Sequence, residues 1–204
     1  MDANGNNTKP STTLKGAAVN FDGRGGRIFL KTSPANTSTV YEGFVMDELG
    51  RVTKPSQPRA WVQISTQTQI GNSKVTAWSS PGINVGSFWD STNKRFVAPI
   101  AGVYMFGGNF RIGAPGSIRV IKFNLQVYNT SNTIIATYGS GIGGSLNSDS
   151  SSSGYDHPYV SFTNMIQLGA GEYVELHLGE VATQHTSYIQ VNNQQSGMWG
   201  YLLM

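Results

Sequence analysis

Three histidines, eleven carboxylates and no cysteine are the groups with which this 204-residue chain could do acid–base, nucleophilic or metal chemistry. Zero cysteine removes disulfides, thiol nucleophiles and thiolate-bound zinc together. A hydrolytic triad needs a histidine aimed by a carboxylate at an activated serine, yet no G-x-S-x-G elbow accompanies His157, His177 or His185. Asp156-His157-Pro158 reads as a turn, and no H-E-x-x-H supports a metalloprotease. Glu175 and His177 lie two apart, so on a strand they project from one face and could share a metal. Two ligands make an incomplete site, and the plainer reading is a solvated strand face with no metal and no cofactor. Gly139, Gly141 and Gly144 satisfy G-x-G-x-x-G, but a dinucleotide site needs a helix next, and Ser145–Gly154 is serine-rich and a poor helix former. The run Gly139–Gly154 is expected to be a long exposed loop. Glycoside hydrolysis would need paired carboxylates at a separation that spacing cannot test. The expectation is that the protein is not an enzyme.

The elements that position these residues are read from composition. Charged residues are 12% against a norm of about 25%, while hydrophobic residues stay at 38% and aromatics at 11%. The polarity comes from 22 Ser, 17 Thr, 16 Asn and 25 Gly. Ser, Asn and Gly punish helix interiors, while Thr, Val, Ile and the aromatics suit a pleated surface, so this is a composition of strands and turns. The net charge of +3 is spread evenly, seven Lys/Arg before Arg59 and seven from it onward. A nucleic-acid face needs clustered cations, so nucleic acid is not expected as a partner. No apolar stretch nears the roughly 18–20 residues of a membrane-spanning helix, so membrane insertion is not expected either. Residues 1–10 lack the basic start and apolar segment of a signal peptide.

From Arg59 onward, runs of β-branched and aromatic residues recur at close spacing: 60–64, 69–78, 95–99, 102–112, 118–129, 133–138, 159–168, 173–178, 188–191 and 197–203. They predict an antiparallel sandwich or barrel of eight to ten strands. Alternation is clearest at 173–178, with Val174, Leu176 and Leu178 on one face and Tyr173, Glu175 and His177 on the other. Residues 1–57 hold only short apolar runs, including Ile28-Phe29-Leu30 and a second around Phe44, too few to close a core. They are expected to be a short irregular β-containing anchor that packs against copies of itself or docks on a larger body. Residues 58–204 are expected to be the folded head.

One constellation is more specific. Trp78, Asn84, Trp89, Phe96, Gly102, Tyr104 and Phe106 read W-x5-N-x4-W-x6-F-x5-G-x-Y-x-F. Phe96, Tyr104 and Phe106 are separated by even numbers and could line one face, with Gly102 permitting a reversal after Pro99. The pattern resembles the signature of the globular head of complement component 1q and its tumour necrosis factor-like relatives, with Trp78 where Phe is usual and Gly108 where a further aromatic is usual. Gly171–Leu176 is similar to that family's G-D-x-V-x-L strand. Gly197–Leu203 is similar to its closing F-S-G-F-L-L strand, and Trp199 and Tyr201 are expected in the core with the other landmarks. The resemblance covers about 59–204 and implies a jelly roll that closes as a homotrimer. A second stretch, Phe44–Pro58, resembles the linker x-D-x-x-G-R-V-T-x-P-x-Q-P found ahead of distal domains in bacteriophage and cyanophage fibre proteins. Animal heads of this type usually follow a collagen stalk and a signal peptide, whereas residues 1–57 read as neither a Gly-X-Y repeat nor a signal peptide.

These resemblances imply a structural virion protein of a tailed bacteriophage, assembled in the bacterial cytoplasm: a trimeric tail fibre or tip that attaches to the host. A capsid decoration (head-fibre) protein and a non-viral lectin-like adhesion trimer are the alternatives. Host polysaccharide or protein would meet the loop residues Asn147, Asp149, Tyr155, Asp156 and His157. Ile28, Phe29, Leu30 and Phe44 would anchor the segment on other virion proteins.

Overall fold

The computed structural model describes residues 16–33, 41–69, 73–113, 118–146, 159–180, 188–189 and 196–203. The described residues are strands and turns, with no helix and hence none able to cross a membrane. Contacts divide the chain into Met1–Gln57 and Pro58–Met204.

The first unit is a four-stranded antiparallel meander: β1 (Gly16–Asp22), β2 (Arg27–Ser33), β3 (Tyr41–Met46) and β4 (Val52–Thr53), adjacent in that order. The D-x-x-G-R-V-T stretch is the β3–β4 hairpin. Asp47 Oδ1 accepts from the amides of Leu49 (3.0 Å) and Arg51 (2.9 Å), and Oδ2 pairs with Arg51 Nε at 2.6 Å. Gly50 takes φ +74°, where a side chain would be strained. The Arg51 amide, against the opposing pull of desolvation and helped by the Arg51 side chain and the Leu49 amide, holds the Asp47 carboxyl below its ordinary pKa. The motif thus has a local cause: it closes a turn and starts a strand.

The second unit opens with β5 (Arg59–Gln63), β6 (Thr68–Gln69), β7 (Ser73–Lys74), β8 (Ile83–Val85), β9 (Trp89–Asp90) and β10 (Arg95–Val97). The long strands follow: β11 (Gly102–Gly113), β12 (Ile118–Tyr128), β13 (Ile134–Leu146), β14 (Tyr159–Leu168) and β15 (Tyr173–Glu180), then β16 (Tyr188–Ile189) and β17 (Gly197–Leu202). Two antiparallel sheets result. One runs β13-β12-β15-β10-β9, with β7 also on β15; the other runs β6-β16-β11-β17-β5-β8, with β14 on the free side of β11. Nonsequential neighbours in both sheets are the crossovers of a jelly-roll sandwich.

Strand alternation sends one row of each sheet inward. Tyr104, Phe106, Phe110 and Ile112 of β11 meet Phe123, Leu125 and Val127 of β12 and Val174, Leu176 and Leu178 of β15, all buried. Phe96 and Phe106 do not line one face as their spacing allowed. They come from opposite sheets and meet edge to face at 5.5 Å, because the turn before Gly102 carries the chain across the sandwich. Trp78 meets Trp89 at 5.7 Å, and Phe88 stacks on Tyr104 at 5.0 Å. Asn84 holds both backbone groups of Trp89, donating to its carbonyl at 3.0 Å and accepting from its amide at 2.8 Å, so the loop between them is fixed by one side chain. At Gly108 the missing aromatic is replaced by neighbours: a Cβ there would lie 2.7 Å from the Phe110 ring and 2.8 Å from that of Phe162.

Two expectations change. Gly139–Leu146 is not loop but the distal half of β13, laddered onto β12 through Asn124↔Gly139 and Lys122↔Gly141. Pairing with a long neighbour overrides the weak strand preference of Gly and Ser. Residues 147–154 lie outside the described residues. The run 69–78 is not one strand but β6, β7 and the isolated bridge Ile64↔Trp78.

Candidate interaction surface

The outward face of the second sheet is built from the residues that alternate with the core. On β17, Met198, Gly200 and Leu202 point inward, so Trp199 and Tyr201 point out and are half-buried rather than core residues. Trp199 lies directly across from Trp61 of β5 on one side and Gly107 of β11 on the other; Tyr201 lies across from Met105. The Trp199 and Tyr201 rings stack at 5.6 Å, and the Tyr201 hydroxyl donates to Met105 Sδ at 3.2 Å. The Trp199 ring rests on Gly107, where a Cβ would approach it to 2.1 Å. Ile83 of β8 extends the row past Trp61, and Met165 of β14 extends it past Met105.

Between Trp61, Ile83, Trp199 and Tyr201 runs a groove of about 380 Å³, floored by Ala60 and Gly200, with Arg59 the one charged residue among its described lining. Trp61 is 36% exposed, Ile83 47% and Met165 64%. Contiguous apolar surface of this kind makes the face a candidate interaction surface.

The outward face of the other sheet has the opposite character. Tyr173, Glu175 and His177 share it, but it is not the solvated strand face their alternation suggested: Tyr173 and Glu175 are buried. Tyr128 stacks flat on Tyr173 at 4.8 Å, and the Arg95 guanidinium covers the Tyr173 ring at 4.1 Å. Glu175 pairs with Lys74 through Oε1 and lies 3.2 Å from His177 Nε2 through Oε2. Lys74 Nζ also donates to the Asn93 carbonyl at 2.6 Å, and the Tyr173 hydroxyl donates to Asn132 Oδ1 at 3.1 Å. Burial, then the Glu175 charge and Tyr173, pushes the Tyr128 hydroxyl above its ordinary pKa. Asp90, paired with Arg95 at 3.1 Å, is held low: burial opposes this, but hydrogen bonds from Asn93 and Arg95 outweigh it. Glu175 and His177 do meet, but one carboxylate oxygen is taken by lysine, and no third His, Cys, Asp or Glu joins them among the described residues. These donors are already satisfied by protein.

Asn147, Asp149, Tyr155, Asp156, His157 and His185 lie outside the described residues. Trp78, Trp89, Phe96, Tyr104 and Phe106 are buried, Asn84 is an exposed clamp, and Gly102 opens β11. Of the four anchor residues, Ile28, Leu30 and Phe44 fall on one face of the first sheet and Phe29 on the other. Sequence reasoning missed Met105, Met165 and Ile83 on the aromatic face, and Lys74, Arg95 and Tyr128 around Glu175. Alternation within 102–113 was the available signal for Met105 and Gly107.

No protein-family profile matches the chain, and no curated protein matches it in sequence. Solved structures do match, among them the structure of Eiger TNF from S. frugiperda, at 14% identity and a TM-score of 0.51, covering 73% of this chain and 94% of that one. At such low identity the likeness speaks to architecture alone. The crossed pair of antiparallel sheets, the aromatic core and this likeness together make the fold a tumour necrosis factor-like jelly roll.

Proposed function

We propose that the protein is a structural virion protein of a tailed bacteriophage, a homotrimer whose jelly-roll heads associate through the Trp61–Trp199–Tyr201 face and present their free ends to the host surface. The observation that carries this reading is the outward aromatic row, exposed at Trp61 and half-buried at Trp199 and Tyr201, that lines an apolar groove on the second sheet. A head without cysteine has no covalent route to extra stability, so association is the remaining way to cover that apolar area. The fold is compatible with a closed threefold ring. The viral setting is supported by the resemblance of Phe44–Pro58 to phage fibre linkers.

Light scattering on the full chain tests the assembly: a mass three times the 22.0 kDa of one chain is expected, and a species of single-chain mass at micromolar concentration would overturn it. Immunogold labelling of phage particles tests the setting. Label on the tail fibres supports the reading, label on the capsid shifts the protein to decoration, and no label on particles rejects the virion role. Replacing His157, His177 and His185 singly by alanine should leave host binding within a few fold.

A further inference from the structure

The four-stranded sheet of residues 16–53 has one face that nothing described in its own unit covers. Register places Val19, Leu30 and Phe44 side by side across three strands, and Phe21, Ile28, Met46 and Val52 side by side across four. These seven side chains share a face, and none of them is charged. Phe21 is 75% exposed, Val19 48%, Leu30 43% and Val52 48%, and Ser33 is the only buried residue described in the unit. The opposite face differs: Asn20, Phe29, Val45 and Thr53 share it, and Lys31 spans the Phe29 ring at 4.7 Å. A sheet with one apolar face folds stably only when that face meets a second layer. The rest of the unit cannot supply that layer. Residues 1–15 contain only Met1 and Leu14 as large apolar side chains, residues 34–40 only Val40, and residues 54–57 none.

We infer that this face packs against the same face of its own copies, so that the first unit forms a second self-association layer in the assembled protein. The inference rests on the trimeric reading of the head. Its sheet measures about four strands by 20 Å, on the order of 400 Å² per face, from strand spacing and rise. That is about half of the 800 Å² per partner in a stable free interface. The face therefore cannot hold separate segments together, but it suffices once the copies are already tethered. Five residues, Lys54–Pro58, separate β4 from β5 and span at most about 18 Å when extended. Trimeric heads would hold the sheets at millimolar effective concentration. A charge-free face is also self-complementary: identical copies meet without like-charge repulsion, whereas it offers a different protein no ion pair by which to be recognised.

The natural absence of cysteine makes the test clean. Leu30→Cys and Phe21→Cys place a thiol on the apolar face of the full chain, and Thr53→Cys places one on the opposite face. In a trimeric species the first two thiols should react with a maleimide about 100-fold more slowly than the third, as expected for a group accessible only on opening. They should also form disulfide-linked pairs of chains on mild oxidation. Phe21, the most exposed position, guards against a folding defect at Leu30. A trimer with all three thiols equally reactive and no cross-linking overturns the inference and leaves the head association standing. Protection that appears only in whole particles also overturns it, in favour of another virion protein. A monomer in solution removes the head trimer first and this inference with it.

Discussion

The two outward faces of the head sandwich were built by the same rule and ended differently. On the β12–β15 side, polar and aromatic side chains turn to one another: Glu175 to Lys74 and His177, Tyr173 to Tyr128 and Arg95. On the β5–β17–β11 side, Trp61, Trp199, Tyr201 and Met105 form an outward row flanked by Ile83 and Met165, with Arg59 the one charged residue described along its groove. A face whose groups are satisfied within the subunit needs nothing further. A face of unsatisfied apolar area does, and the candidate interaction surface is found there although it holds none of the residues that looked chemical in sequence.

Four experiments press on that contrast. The largest effect is expected at Trp199→Asp or Trp61→Asp, which put a charge in the middle of the apolar row. Association should weaken by at least about 100-fold, near 2.7 kcal/mol, with molar mass falling to that of one chain while the fold's circular dichroism persists. If either variant stays trimeric, the face is not the contact. Next is Glu175→Ala, which leaves the Lys74 ammonium, a quarter exposed, with the Asn93 carbonyl alone. It should cost about 2 kcal/mol of stability in denaturant unfolding and leave the mass unchanged. A mass change would show that the two faces are not independent.

A smaller effect separates the faces by pH. The folded pKa of Asp90 is lowered, so its contribution is present above its unfolded value, about pH 4, and is lost as pH falls through the folded value. Asp90→Asn should flatten that part of the acid melting curve while leaving the pH dependence of association untouched, since the aromatic row carries no carboxylate. The smallest effect is expected at His177→Ala. Glu175 keeps Lys74, so melting should shift by no more than about 1 kcal/mol, and a larger loss would mean that the histidine organises the polar face.

What was legible in the sequence follows from how far each signal reaches along the chain. The aromatic landmarks and long alternating runs announced the sandwich because a strand of ten residues repeats its pattern enough to be seen. β8 and β9, three and two residues long, have no period to detect; what extends the chain there is pairing with β5 and β10 together with the Asn84 clamp on Trp89. At Gly139–Leu146 composition pointed away from a strand, and the deciding interaction was the ladder to β12. Trp199 and Tyr201 were expected in the core from the likeness of Gly197–Leu203 to a closing strand; that stretch is apolar on both alternate rows, so parity alone cannot say which row faces in. The pairing of Glu175 and His177 on one face was visible, but their cover was not, since Lys74 lies about a hundred positions away.

The seat of Trp199 on Gly107 also constrains the order in which this surface can change. While the indole occupies the space a Cβ would need, 2.1 Å away, substitution at 107 is closed, although a pleated strand would otherwise favour a branched residue there. The permissible sequence of changes begins at 199: the ring must shrink first, and only then does 107 become free to vary. Among divergent descendants of this chain, glycine at 107 should accompany every large ring at 199 and be lost only where that ring has already gone.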